Sequence, residues 1–161
     1  MIRDLKLTAK RGKTVDFLVG GYSLDDVATI ARRVPDLKII LDHFGNVRLS
    51  EDSLDKDWVA AFKAVAKYPN VHCKVSALYG RVKPQPAQQN IAFYEPILEL
   101  AYTAFGEDRL IYGSDWPVTE NSGDYASVVK LTRAWSAQKG EAFEKKLFWS
   151  NGMRFYGVSD R

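Results

Sequence analysis

The sequence predicts an α/β protein with a parallel sheet, on three observations. Four short apolar runs alternate with longer segments whose apolar residues recur at helical spacing, the pattern of successive βα units. Each run is continuously apolar rather than half polar, which marks strands covered on both faces by crossover helices. The chain has 161 residues, 46% of them apolar and 27% charged, enough for one core. No linker or low-complexity tract divides it, so residues 1–161 read as a single domain.

In chain order, Leu5, Thr8 and Ala9 lie on one helical face that stops at Gly12. Val15 to Val19 is the first strand, ended by Gly20-Gly21. Ser23 caps a helix carrying Leu24, Val27, Ala28, Ile30 and Ala31, closed by Pro35. Leu37 to Leu41 is the second strand and runs into Asp42-His43-Phe44-Gly45. After a polar loop, Asn46 to Lys56, a stripe of Trp58, Ala61, Phe62, Val65 and Ala66 predicts a helix broken by Pro69-Asn70. Val71 to Val75 is the third strand, and a loop with Pro84 and Pro86 leads to a helix over about Gln88 to Phe105. The fourth strand, Arg109 to Tyr112, runs into Gly113-Ser114-Asp115-Trp116-Pro117. Helical segments around Tyr125 to Gln138 and Glu141 to Tyr156 finish the chain.

The net charge of +3 comes from interspersed acids and bases, with no basic stripe for nucleic acid. One cysteine, Cys73, excludes an internal disulfide and points to a reducing, cytoplasmic setting. No run approaches the ~20 apolar residues of a membrane span, and no leader is expected from the charged first residues. Phosphate loop, dinucleotide fingerprint, nucleophile elbow and zinc-finger spacing are all absent from the sequence.

Polar groups gather where the apolar strands stop, and in parallel α/β folds ligands bind at the carboxyl ends of strands. His43 follows the second strand, Lys74 and Ser76 belong to the third, and Ser114-Asp115 follows the fourth. Period two places His43 on the face of Ile39 and Leu41, where the ordinary reading is a core histidine bonded to a backbone carbonyl. Asp115 reads either as a turn or cap residue or as a metal ligand or general base. Lys74, set between apolar neighbours, needs a carboxylate partner or a substrate anion. Cys73 alternates onto the other face as a small core residue, and His72 falls toward the opposite end of its strand.

Four blocks resemble the amidohydrolase-related lactonases and decarboxylases. They are Asp16-Phe17-Leu18-Val19, Pro35 through Gly45, Val71 through Ser76, and Leu110 through Val118; the closing Asn151 to Gly157 is also similar. Within that group the chain is most like the branch of 2-pyrone-4,6-dicarboxylate and sugar lactonases. The resemblance implies a (β/α)8 barrel, of which this chain would be the C-terminal part, with about four strands. It implies hydrolysis of a lactone or similar ester, with His43 binding a metal or polarising the carbonyl and Asp115 activating water. Lys74, Ser76, Tyr79, Arg81 and Trp116 would line the substrate side. The substrate would be a carboxylated or sugar-derived lactone.

The departures shape the expectation as much as the matches. The family's His-x-His pair is absent, and a complete barrel takes about 250 residues. Asn46-Val47 stand where lysine-proline often follows the glycine, and Ala77 where glycine is usual. A divalent metal such as zinc, held by His43 and Asp115, is therefore expected only in a barrel completed by further ligands, and none for the isolated chain. The missing N-terminal half would come from a longer chain or a partner; self-association is the other expectation. The alternative reading is a non-catalytic half-barrel that binds a small anion or a partner subunit.

Overall fold

A computed structural model describes residues 1–19, 23–51 and 53–159. Helix α1 (Ile2–Lys10) precedes strand β1 (Thr14–Phe17), followed by α2 (Leu24–Arg33) and β2 (Lys38–Leu41). Then come α3 (Lys56–Ala66), β3 (Val71–Val75), α4 (Ile91–Phe105) and β4 (Leu110–Tyr112). Three helices close the chain: α5 (Tyr125–Ala137), α6 (Glu141–Lys145) and α7 (Asn151–Tyr156). The last two are joined by a π-helical turn, Lys146–Ser150. The expected helix from Glu141 to Tyr156 is thus broken in the middle. The predicted end of the first strand at Gly20-Gly21 lies outside the described residues.

The four strands are parallel in the order β1-β2-β3-β4, as the βα alternation predicts. Local sequence explains where the helices start. Ser23 Oγ accepts from the Asp26 N–H while the Asp26 carboxylate accepts from the Ser23 N–H, a reciprocal cap on α2. Asp55, Asn90 and Asp124 cap α3, α4 and α5 in the simpler way.

The two faces of the sheet differ. Ile39, Leu41, Val71, Cys73 and Val75 pack into the large core under the helices. Strand register aligns Asp16, Ile40 and His72 on the other face, with Lys74 beside Ile111. There Ile40, Ile111 and Phe155 of α7 make a small separate cluster. Strands buried evenly on both faces were expected, but in β3 only alternate residues are buried, because the second face carries His72 and Lys74. Cys73 lies in the core, as period two predicts, and burial pushes its thiol pKa well above the usual range. Among the described residues no helix is long and apolar enough to cross a membrane.

Candidate active site at the strand ends

At the carboxyl end of the sheet the backbone leaves β geometry abruptly. Beyond β2, His43 and Phe44 take φ of 53° and 54°; beyond β3, Ala77 takes 55°; beyond β4, Asp115 takes 59°. Non-glycine residues held in this left-handed region cost about 1–3 kcal/mol each and persist where surrounding structure over-determines them. Phe44 is held by complete burial in the core. Gly45, at φ 71°, answers a closer need, since a Cβ there would stand 2.7 Å from a Leu24 methyl.

These turns bring together residues far apart in sequence. His43 Nδ1 lies 2.7 Å from Ser76 Oγ, and His43 Nε2 lies 3.6 Å from Asp115 Oδ1. The two expectations for His43 drawn from period two are both corrected here. The strand ends at Leu41, so alternation no longer sets the direction of a side chain two residues later. The partner is a serine hydroxyl, not a backbone carbonyl. Asp115 does not cap the following 3-10 turn, whose first flanking residue is Pro117. Its carboxylate faces the imidazole instead, while its carbonyl accepts from the Thr119 N–H.

Burial lowers the His43 pKa below the ordinary histidine value. The nearby carboxylates of Asp115 and Asp42 pull it back up, and Arg81 and Lys74 add to the lowering. The imidazole is therefore neutral at neutral pH, with both nitrogens in polar contact. Which nitrogen carries the proton follows from Ser76: when its hydroxyl donates to Nδ1, the proton sits on Nε2, toward Asp115.

Lys74 finds carboxylates, one of the two partners its sequence context called for. Its Nζ lies 2.6 Å from Asp16 Oδ2 and 2.7 Å from Asp42 Oδ1. Burial works against its charge, but the two acids outweigh it and hold its pKa above the usual lysine value. Asp16 also accepts from the Tyr156 hydroxyl at 2.7 Å. Sequence reasoning missed Asp16 and Asp42 as site neighbours. The signal that finds them is register: Asp16 pairs with Ile40, two residues before Asp42 on the same face, and Ile40 pairs with His72, two before Lys74.

Not every expected residue reaches this cluster. Tyr79 is only 1% exposed and packs against Tyr94 in the core, so the structure corrects its placement on the substrate side. The cause is the 3-10 turn Tyr79–Arg81, which turns the ring inward over Gly123. Ser76, 2% exposed, is engaged with His43. Arg81 stands close enough to influence His43 and donates to the Asn46 side chain. Trp116 is 64% exposed beside Asp115. His72 lies away from the cluster against Phe155, and burial together with Arg109, Arg154 and Lys38 lowers its pKa to about 4.

His43 and Asp115 suit a divalent metal as two ligands, but catalytic zinc sites use three protein ligands. Among the described residues no group of three or more His, Cys, Asp or Glu is placed to hold a metal ion. The pair does not make a metal site by itself.

The fold is thus a parallel βα sheet with an imidazole and a carboxylate meeting beyond its strand ends, where ligands bind in parallel α/β proteins. The amidohydrolase family model matches residues 5–158, and the chain belongs to that family. It is 32% identical over 151 residues to an L-fucono-1,5-lactonase of Burkholderia ambifaria, a match covering 89% of this chain and 49% of that protein. The crystal structure of an amidohydrolase from Burkholderia multivorans with bound zinc superposes with a TM-score of 0.89 at 29% identity. It covers 98% of this chain and 57% of that one. A hydrolase of Pseudomonas putida described as acting on 2-pyrone-4,6-dicarboxylic acid gives a TM-score of 0.76 over 98% of this chain and 56% of its own. At 24% identity it shows a shared fold. The chain spans about half the length of the curated relatives it matches.

Proposed function

We propose that this chain supplies the His43–Asp115 portion of a lactone-hydrolysing site, whose barrel is closed by an N-terminal half from a longer chain or a partner. The observation that carries the reading is the approach of His43 Nε2 to within 3.6 Å of Asp115 Oδ1 beyond two different strands. In the chemistry this geometry supports, Asp115 takes a proton from water as the water oxygen attacks the lactone carbonyl. His43, neutral and held by Ser76, donates its Nε2–H to the oxygen on which negative charge develops. Collapse of the tetrahedral intermediate breaks the ring acyl–oxygen bond, and the proton held by Asp115 passes to the departing alkoxide. The product is the open hydroxy acid.

A carboxylated or sugar-derived lactone is the substrate class, supported by the lactonase relative. Arg81 and Trp116 are the residues proposed to meet it, one offering a guanidinium and the other an exposed ring at the mouth of the site. A divalent metal such as zinc enters only where the closing half brings further ligands. The lone buried Cys73 supports a cytoplasmic setting.

The test is hydrolysis of a panel of sugar and carboxylated lactones, followed by acid release, with the chain alone and with an N-terminal half-barrel supplied. Asp115→Asn is expected to lower turnover about 10²–10⁴-fold where a general base is lost. An Asp115→Asn protein with full turnover, or wild-type protein inactive in both forms, overturns the assignment.

A further inference from the structure

Lys74 stands on β3, between the strands that lead to His43 and Asp115, and the family resemblance places it among substrate contacts. The structure gives its charge other work. Its ammonium has three donors, and Asp16 and Asp42 approach it to 2.6 Å and 2.7 Å. With two carboxylates around one ammonium, the cluster has no positive excess to offer an anionic substrate. Asp42 directly precedes His43 and is held through its backbone and by an ion pair at its side chain. Its N–H donates to the Phe17 carbonyl at 3.0 Å, its carbonyl accepts from the Gly45 N–H at 2.9 Å, and its side chain is held by Lys74. The next two residues are the left-handed pair His43 and Phe44. Such a conformation lasts only where the surroundings fix it.

The residue just after β4, Gly113, makes room for this clamp. A Cβ on Gly113 would lie 3.2 Å from Lys74 Cδ and 3.3 Å from Ser76 Cβ. A bare glycine there lets the Lys74 stem and the Ser76 side chain pass close to the backbone, one approaching Asp42 and the other meeting the His43 ring.

We propose that Lys74 is a positioning residue: by holding Asp42 from β3 it fixes the turn that aims the His43 imidazole between Ser76 and Asp115, and it makes no contact with substrate. The inference rests on the reading of His43 as a working group of the site, and it deepens that reading by assigning what keeps the imidazole in place.

The nitrogen-15 spectrum of the imidazoles tests it in the chain as it stands. The sequence has two histidines, His43 and His72, and His72 lies apart as an internal reference. At about pH 8 both rings are neutral, and a held ring shows one tautomer, with separate signals for its protonated and bare nitrogens. Wild-type His43 is expected to show that pattern. Lys74→Met is expected to abolish it for His43 and leave His72 unchanged, which a general loss of stability would not do. Should the single variant fail to fold around an uncompensated Asp42, Lys74→Met combined with Asp42→Asn removes that charge and is expected to show the same loss. Wild-type His43 signals in either folded variant overturn the proposal. So does a Lys74→Met protein that keeps those signals but loses affinity for a carboxylated lactone, since Lys74 is then a substrate contact. A His43→Ala protein with full lactone turnover sinks the functional reading and leaves the spectroscopic result on positioning intact.

Discussion

The two ends of the sheet are both rich in polar side chains, yet they are wired differently. At the amino end, long side chains donate to backbone carbonyls. Arg109 donates to the carbonyls of Phe105, Ala66, Tyr68 and Val71; Asn70 to those of Ala31, Val34 and Leu37; Asn151 to those of Glu107 and Leu110. Each ties separate stretches of the chain together through backbone carbonyls. At the carboxyl end, polar contacts run from side chain to side chain: His43 and Lys74 are hydrogen-bonded to Ser76 and Asp16, and approach Asp115 and Asp42 at ion-pair distance. There the backbone is strained as well. The first arrangement closes off polar groups and holds the fold. The second keeps ionisable groups close, oriented and partly accessible, which is what chemistry needs and what stability alone does not call for.

Perturbing the amino end should damage folding more than anything at the carboxyl end. Arg109→Met keeps an apolar stem but strips donors from four carbonyls, and is expected to lower stability by about 3 kcal/mol in urea unfolding. A loss below about 1 kcal/mol would mean that water replaces these bonds and that the contrast between the ends is weaker than drawn.

The amino end should also set part of the acid limb of stability. His72 is held neutral, with its folded pKa lowered from 6.5 to about 4. The unfolded chain therefore binds the extra proton first, so stability is complete above pH 6.5 and falls as pH drops toward 4. The slope is about 1 kcal/mol per pH unit after allowance for partial exposure. His72→Phe should flatten the unfolding midpoint across that window, whereas an unchanged profile would assign the acid limb to other groups.

Carboxyl-end changes sharpen the comparison by separating shape from strain. Gly113→Ala presses a methyl on Lys74 and Ser76 and is expected to cost about 1–2 kcal/mol while disturbing the His43 signals. Undisturbed His43 signals would show that the room beside β4 does not matter to the imidazole. Ala77→Gly should have the smallest effect. It relieves a φ of 55° but adds unfolded-state entropy, for a net change within about 1 kcal/mol in the stabilising direction. A clear destabilisation would mean that the Ala77 methyl packs for more than its backbone costs.

Much of this architecture is legible in the sequence because its cause is local. Each apolar run marks a strand, and β3 falls on Val71–Val75 as read; Ser23 announces its helix, and Pro35 follows its end. Edges drift where tertiary contact decides. Arg109, assigned to the fourth strand, is pulled into bonding carbonyls below it, and Leu18 and Val19 fall outside β1. The gathering of His43, Lys74, Ser76 and Asp115 at one end followed from topology, since parallel strands point the same way. The partners of Lys74 did not, because register between strands is not written in either strand alone.

The sequence by itself determined the βα order, the Ser23 cap, the side of β3 that enters the core, and which polar residues stand at the strand ends. These depend on spacing along one chain, and hydrophobic period is enough to set them. Only the tertiary structure decided that Tyr79 turns inward, that Asp16 and Asp42 share Lys74, and that His43 leaves the strand's alternation to face Ser76 and Asp115. The first depends on a 3-10 turn and the second on register between strands. The third depends on a left-handed turn held by contacts across strands, a conformation too costly for a local segment to hold by itself.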